Sequence, residues 1–366
     1  MKILHIINSL ETAGAEKLIL DSIPLYRELG IEADVLLLWD HDCPFTLALK
    51  KLNCCKIHII SKSPNKKNVY NPLAVFRIRK IIKQYDIAHV HVFPSQYFAV
   101  FANILNKSKT KLVLTEHNTL NGRMKVKVLK PIERFIYSKY EKIICITDEV
   151  KNIYLDYLEE FSRKFITINN GVDINQINKN KAYRKSDFGY HEEDQLLIMV
   201  ARFNIQKDQD TVIKSLVGLP VDYKLLLVGD GERRMELEKL VIALNLSERV
   251  NFLGIRSDVY SLYKMCDFAV LSSHWEGFGL VAVEAMACGI PIIASKVDGL
   301  AQIVKNAGIL FEKGNTTELS QIILSFKNNE EKYQMVVQRC LQRSKHYDIT
   351  TMVNLHVEVY KSLLLN

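Results

Sequence analysis

Glu276 and Glu284, with seven residues between them, bracket a glycine-containing turn in Ser-Ser-His-Trp-Glu-Gly-Phe-Gly-Leu-Val-Ala-Val-Glu-Ala-Met-Ala-Cys-Gly-Ile-Pro, residues 272–291. An apolar run with strand character, Phe268 to Leu271, stops at Ser272 and Ser273, and a helical run begins near Gly279 and ends at Gly289 with Pro291 behind it. The backbone N–H groups of Phe278, Gly279, Leu280 and Val281 therefore fall at a helix start. Such a start carries about half a positive charge and up to four unpaired donors, which suits phosphate, and glycine lets a ligand approach the backbone closely. A carboxylate on either side would repel phosphate but accepts hydroxyl groups in pairs. Diphosphate in the middle with a polyol at each end describes a sugar nucleotide. A buried strand and helix carrying two surface glutamates is the plainer reading, and these residues alone leave both open.

Other candidates also stand at strand ends. Arg202 and Lys207, in Ala-Arg-Phe-Asn-Ile-Gln-Lys-Asp, follow the apolar run Leu196 to Val200. Loop cations are usually solvated, but Arg offers a rigid fork and Lys a compact point charge, together matching a diphosphate. His117 follows the run Leu112 to Leu114, although a lone His is more often structural. Gly14 closes the small-residue loop after Lys2 to Ile7 and leads into the helix-spaced set Ala15, Leu18, Ile19, Ile23, Tyr26 and Leu29, with Gly30 placed to end that helix and Pro24 to kink it. No G-x-G-x-x-G follows the first strand, which disfavours a nicotinamide enzyme.

Short apolar runs alternate with helical intervals through both halves of the chain. They include Val35 to Trp39, Ile57 to Ile60, Ile87 to Val92, Ile143 to Ile146 and Phe165 to Ile168, then Leu225 to Val228, Val250 to Gly254, Ile292 to Ser295 and Gly308 to Phe311. Alternation of this kind predicts parallel sheets covered on both faces, with ligands beyond the carboxyl ends of the strands. At 366 residues two domains are expected. Asn169 to Asp173 closes the first, and Asn175 to Asp194 has linker composition. A last helix near Met352 to Leu364 has the apolar face Val353, Leu355, Val359 and Leu363.

No apolar run reaches the roughly 18 residues that span a bilayer, and Met1 to Leu10 is too short for a signal peptide, so the chain is expected to stay in the cytoplasm. The seven cysteines, at 43, 54, 55, 145, 266, 288 and 340, contain no C-x-x-C pair and are expected to be reduced. Asp40-His-Asp42 reads as a loop, and no metal site is expected. Residues 1–180 hold 27 Lys+Arg against 18 Asp+Glu, a balance of +9, while the remainder holds 22 against 23, or −1. Two segments account for the excess: Pro72 to Tyr85, with Asn71 as cap, and Arg123 to Lys142, each interleaving cations with apolar side chains. An anionic membrane surface fits this pattern, whereas no nucleic-acid module or groove of stacking aromatics is found.

The stretch EGFGLVAVEAMACGIPIIAS resembles the signature of the retaining GT-B glycosyltransferases of family 4, and the likeness is close over residues 200–311 and looser elsewhere. That resemblance implies an α/β fold of two Rossmann-like domains with parallel sheets facing a central cleft. It divides the chain into 1–180 for the acceptor, 190–345 for the nucleotide sugar, and a helix at 350–366 crossing back to the first domain. It implies catalytic roles for Glu276, at the transferred sugar, and for His117, Arg202 and Lys207. Glu284 would hold the ribose. The backbone of Gly14, Phe278, Gly279, Leu280 and Val281, with Arg202 and Lys207, would hold the diphosphate. Ala13 stands where the family's first loop glycine would be. Expected partners are a nucleotide-diphosphate sugar, UDP favoured over GDP, and a glycan or lipid-linked acceptor; no metal or other cofactor is expected. A GT-B epimerase and a non-catalytic binding subunit are the alternatives.

Overall fold

Apolar runs of three to six residues become parallel strands in both halves of the chain. The structure is a computed structural model and describes residues 1–107, 109–118 and 122–365. In the first half, β1 (Lys2–Ile7), β2 (Glu32–Leu37), β3 (Ile57–Ile59), β4 (Ile87–His91), β5 (Lys111–Glu116), β6 (Lys142–Cys145) and β7 (Phe165–Thr167) form one sheet in the order β3-β2-β1-β4-β5-β6-β7. In the second, β8 (Gln195–Val200), β9 (Tyr223–Val228), β10 (Val250–Gly254), β11 (Phe268–Leu271), β12 (Ile292–Ser295) and β13 (Ile309–Phe311) form another in the order β10-β9-β8-β11-β12-β13. Every residue of β4 and β11 is buried, as expected of strands covered by helices on both faces.

Each strand order reverses once, between β1 and β4 and between β8 and β11. Loops leaving the carboxyl ends of strands diverge at such a point and leave a crevice, the usual ligand position in a doubly wound sheet. The Arg202–Lys207 loop leaves β8 and the Glu276 loop leaves β11, so the second sheet brings together segments about 70 residues apart because of its topology.

Two compact units result, Met1–Gly171 with the C-terminal segment from Ile349, and Val172–Asp348. The expected linker is not bare. It holds a short helix, Ile174–Lys179, capped where Gln176 N–H donates to Asp173 Oδ1 at 2.8 Å, and a 3-10 turn, Lys185–Phe188. The last helix runs Ile349–Leu364 and belongs to the first unit. Its buried face is not the expected one: Ile349, Met352, Val353, His356, Val357 and Tyr360 are buried, whereas Leu355 is exposed. A filter on apolar residues passes over His356 and Tyr360, which are buried because their polar atoms are hydrogen-bonded.

The first basic segment starts its helix later than expected. Asn71 caps a turn through Leu73 N–H to Oδ1 at 3.0 Å, and the helix proper is Ala74–Ile82. The second segment forms two 3-10 turns, Gly122–Lys125 and Lys127–Leu129, then a helix over Lys130–Ser138 with Pro131 in its first turn. Arg123 is taken out of the solvated face. Its Nε donates to buried Glu133 Oε1 at 2.7 Å, and its guanidinium lies 4.4 Å from the Phe93 ring centre.

Candidate functional site

In the second unit, Glu276 and Lys207 meet. Lys207 Nζ donates to Glu276 Oε1, and Ser273 Oγ donates to the same oxygen at 2.9 Å. Both side chains are largely buried, at 18% and 8% exposure, so their charges are mutually compensated. Ser272, Ser273 and Ser295, all fully buried, tie the strand ends to these loops: Ser272 Oγ donates to Asp208 O at 2.7 Å, and Ser295 Oγ to Ser273 O at 2.6 Å. Gln206 closes the junction, accepting from His274 N–H at 2.7 Å and donating to Trp275 O at 2.9 Å.

The turn after Glu276 needs glycine at two places. Gly279 caps the helix at a φ of 86°, and Gly299, at 78°, lies where an added Cβ would come within 2.4 Å of Glu276 O and 2.7 Å of Gly277 O. Gly299 is thus pressed against the backbone that carries Glu276, a constraint invisible in its local sequence. The helix Leu280–Ala287 follows, and its first turn leaves backbone N–H groups without intrahelical acceptors, as every helix does. Phe278 sends its side chain inward, packing edge-on against Tyr347, so only its backbone is available to a ligand. Glu284 lies inside the helix, where Tyr260 OH reaches its Oε1 at 3.4 Å.

Arg202 departs from the expected grouping. It is 73% exposed and pairs with Glu232 at 3.5 Å. Glu232 is brought there by the Gly229–Gly231 turn, which packs so tightly that a Cβ on Gly231 would lie 2.3 Å from Phe203 O. Unlike Lys207, Arg202 is held by a surface pair, which costs little to break.

Gly14 and His117 belong to the first unit. Gly14 opens the helix Gly14–Glu28, which runs on through Pro24. Ala13 has a φ of −91°, where a methyl adds no backbone strain, and its N–H donates to Glu16 Oε2 at 2.8 Å. His117, just beyond β5, is half-buried and puts Nε2 3.1 Å from His91 Nδ1. Burial lowers its pKa to about 4. It belongs to a group of five imidazoles, His5, His89, His91, His117 and His356, which spacing alone did not reveal because three different strands and the last helix bring them together.

Three of those rings, His5, His89 and His91, offer nitrogens within 4.8 Å of one another, close enough to share a metal ion. The hydrogen bonds favour another reading. Both nitrogens of His89 are engaged, Nδ1 with Tyr360 OH at 2.5 Å and Nε2 with Thr115 Oγ1 at 2.6 Å. Asp40 accepts from Cys43 N–H at 3.3 Å and faces Lys50, as suits a loop.

The family model described as glycosyl transferases group 1 matches residues 181–343, and that described as glycosyltransferase family 4 matches residues 12–176. An uncharacterized glycosyltransferase of Methanocaldococcus jannaschii is 35% identical over 67% of this chain, and the alignment spans 66% of that relative, just under two thirds of its length. A Campylobacter jejuni N-acetylgalactosamine-N,N'-diacetylbacillosaminyl-diphospho-undecaprenol 4-alpha-N-acetylgalactosaminyltransferase is 25% identical over 93% of this chain and 94% of its own. Among solved structures, Anabaena HepE in complex with UDP and glucose superposes with a TM-score of 0.86 at 23% identity, over 99% of this chain and all of that one. That likeness establishes the GT-B fold, two Rossmann-like parallel-sheet domains.

Proposed function

The chain belongs to the group 1 glycosyltransferases, and from that premise we propose that it moves a sugar from a nucleotide diphosphate to an acceptor hydroxyl with retention of anomeric configuration. The observation that carries this reading is the switch point of the second sheet, where Lys207 and Glu276 converge ahead of a helix start. Bond breaking puts negative charge on the leaving diphosphate, and fixed positive groups there stabilise the transition state more than the ground state. Lys207, Arg202 and the backbone N–H groups at Gly279, Leu280 and Val281 are assigned that task, without a metal. Glu276 faces the transferred sugar and Glu284 the ribose. The acceptor attacks from the face the diphosphate leaves, and the departing phosphate oxygen takes the acceptor proton. His117 is assigned to the acceptor side.

UDP is the favoured base-sugar carrier, supported by the UDP bound in the HepE structure. A thermal-shift panel of UDP-, GDP- and ADP-sugars tests it. A donor at about 100 times its dissociation constant adds roughly 2.7 kcal/mol of stability, and the UDP-sugar is expected to do so at the lowest concentration. In the same assay Glu284→Ala should weaken binding of free UDP and of donor alike, while Glu276→Ala should leave UDP binding intact and mainly lower turnover. Equal loss of UDP binding in both variants would reverse the assignment of ribose and sugar ends.

The acceptor is proposed to be lipid-linked and reached from an anionic membrane surface. No helix among the described residues is long and apolar enough to cross a membrane. Instead, Val126, Val128, Ile132 and Phe135, all exposed and Val128 80% so, alternate with exposed Lys125, Lys127, Lys130 and Lys139. Leu73 and Phe76 are exposed beside Arg79 and Lys80 on the other basic segment. Each cation near an anionic leaflet is worth roughly 1 kcal/mol, so several act together and the attachment is salt-sensitive. In flotation with phosphatidylserine-rich vesicles the protein should rise at low salt and not at high salt. Replacing Lys125, Lys127 and Lys130 by Ser should abolish flotation without changing UDP binding; Arg123 is spared because it holds buried Glu133. A protein that stays unbound at low salt has a merely solvated basic face and a soluble acceptor.

A further inference from the structure

Of the five imidazoles at the switch point of the first sheet, the proposed reaction uses only His117. His5 on β1 is in register with His89 on β4, and His91, two residues on, points to the same face. His91 is the joint: its Nδ1 lies 3.1 Å from His117 Nε2, and its Nε2 lies 3.3 Å from His5 Nδ1. His89 is engaged by Tyr360 and Thr115, and His356 by Tyr26 OH at 2.9 Å, so these hydroxyls take up the other two rings.

A neutral imidazole has one N–H and one lone pair. Burial holds His5, His91 and His117 below their ordinary range, hence neutral at pH 7. The two contacts must then run in the same direction. If protons point from His5 toward His117, all three rings carry hydrogen on Nδ1, and His5 Nε2 is left with a lone pair. If they point the other way, all three carry hydrogen on Nε2, and His5 Nε2–H becomes a buried donor with no partner among the described residues. An orphaned buried donor is rarer than an under-used acceptor, so the first direction wins. We propose that His5 and His91 are positioning residues that lock His117 as its Nδ1–H tautomer, so that it meets a ligand oxygen as a hydrogen-bond donor and not as a base. The inference rests on the placement of His117 on the acceptor side of the proposed reaction.

The test is a long-range proton–nitrogen correlation spectrum of the full chain labelled on histidine nitrogen, at pH 7.5. It should show hydrogen on Nδ1 of His5, His91 and His117; hydrogen on Nε2 of His117 in the unmodified protein overturns the proposal whatever any variant does. His91→Asn, whose amide nitrogen sits near the former Nδ1, should keep the His117 tautomer and most of the turnover. His91→Leu should let His117 exchange between tautomers and titrate toward its ordinary range, with turnover down about tenfold, the scale of one lost hydrogen bond, and a new acid limb in the pH profile. An unchanged His117 signal in folded His91→Leu overturns the proposal. So does one equivalent of zinc retained by the purified protein and lost in that variant, because the nitrogens would then belong to a metal. If the tautomers are as stated but His117→Ala leaves turnover unaltered, it is the placement of His117 in the reaction that falls, taking the positioning role with it.

Discussion

Lys207→Ala is expected to reduce turnover by about a hundredfold or more and to destabilise the second unit at the same time. The first effect is the scale observed when one stabiliser of developing charge is removed. The second follows from burial: Glu276 is 8% exposed and loses the ammonium group that Lys207 brings to its Oε1. Breaking a buried pair by deleting one partner costs about 3–5 kcal/mol. Arg202→Ala separates the two effects. Its pair with Glu232 is exposed, so the variant should melt like the parent and still lose about a hundredfold in turnover. Turnover and melting temperature measured side by side decide the matter. An Arg202→Ala variant with parental turnover removes Arg202 from the diphosphate, and a chelator-sensitive parent restored by magnesium or manganese removes the metal-free mechanism.

Mild acid should unfold the first unit. Burial lowers His5 and His356 to about 3, and holds His89 and His91 well below their ordinary range. In the unfolded chain these rings titrate near 6.5. Below that pH the unfolded state binds protons that the folded state refuses, so stability is complete above about 6.5 and is lost as pH falls toward the folded values. Each imidazole contributes about 1.4 kcal/mol per pH unit, so four of them remove several kcal/mol by about pH 5.5, comparable with the whole stability of an ordinary domain. Glu16 and Glu116, raised by burial, act in the opposite sense, but only toward the carboxylate range. The chain has two tryptophans, buried Trp39 in the first unit and Trp275 in the second. In a Trp275→Phe protein, Trp39 fluorescence should report a urea midpoint that collapses between pH 7.5 and 5.5. A midpoint that does not move would mean the imidazoles are protonated in the folded protein.

The strands and the Glu276 turn were legible because they depend on local signals: apolar runs, a glycine before a helix, a glycine and proline after it. The helix near 279–289 is found at Leu280–Ala287, within the usual uncertainty of helix ends. What local signals do not carry is partnership. Lys207 and Arg202 look equivalent in sequence, yet one is buried against Glu276 and the other is paired on the surface. Arg123 reads as one more cation in a basic run, and only the fold shows that it answers a buried carboxylate on the next helix. Gly299 is required by the backbone of residues 276 and 277, more than 20 positions earlier. The histidine cluster is the extreme case. Its members come from β1, β4, the end of β5 and the last helix, and each reads singly as a core residue or a loop residue.

The fate of a UDP-sugar is the most direct test of the proposed reaction. Purified protein incubated with the donor that stabilises it best, a membrane lipid extract and a chelator should release UDP in step with a new glycoside, whose anomeric carbon has the donor's configuration by proton NMR. Donor altered with no glycoside formed would make the chain an epimerase, and donor left untouched by a protein it stabilises would make it a binding subunit. An inverted product would contradict the same-face mechanism.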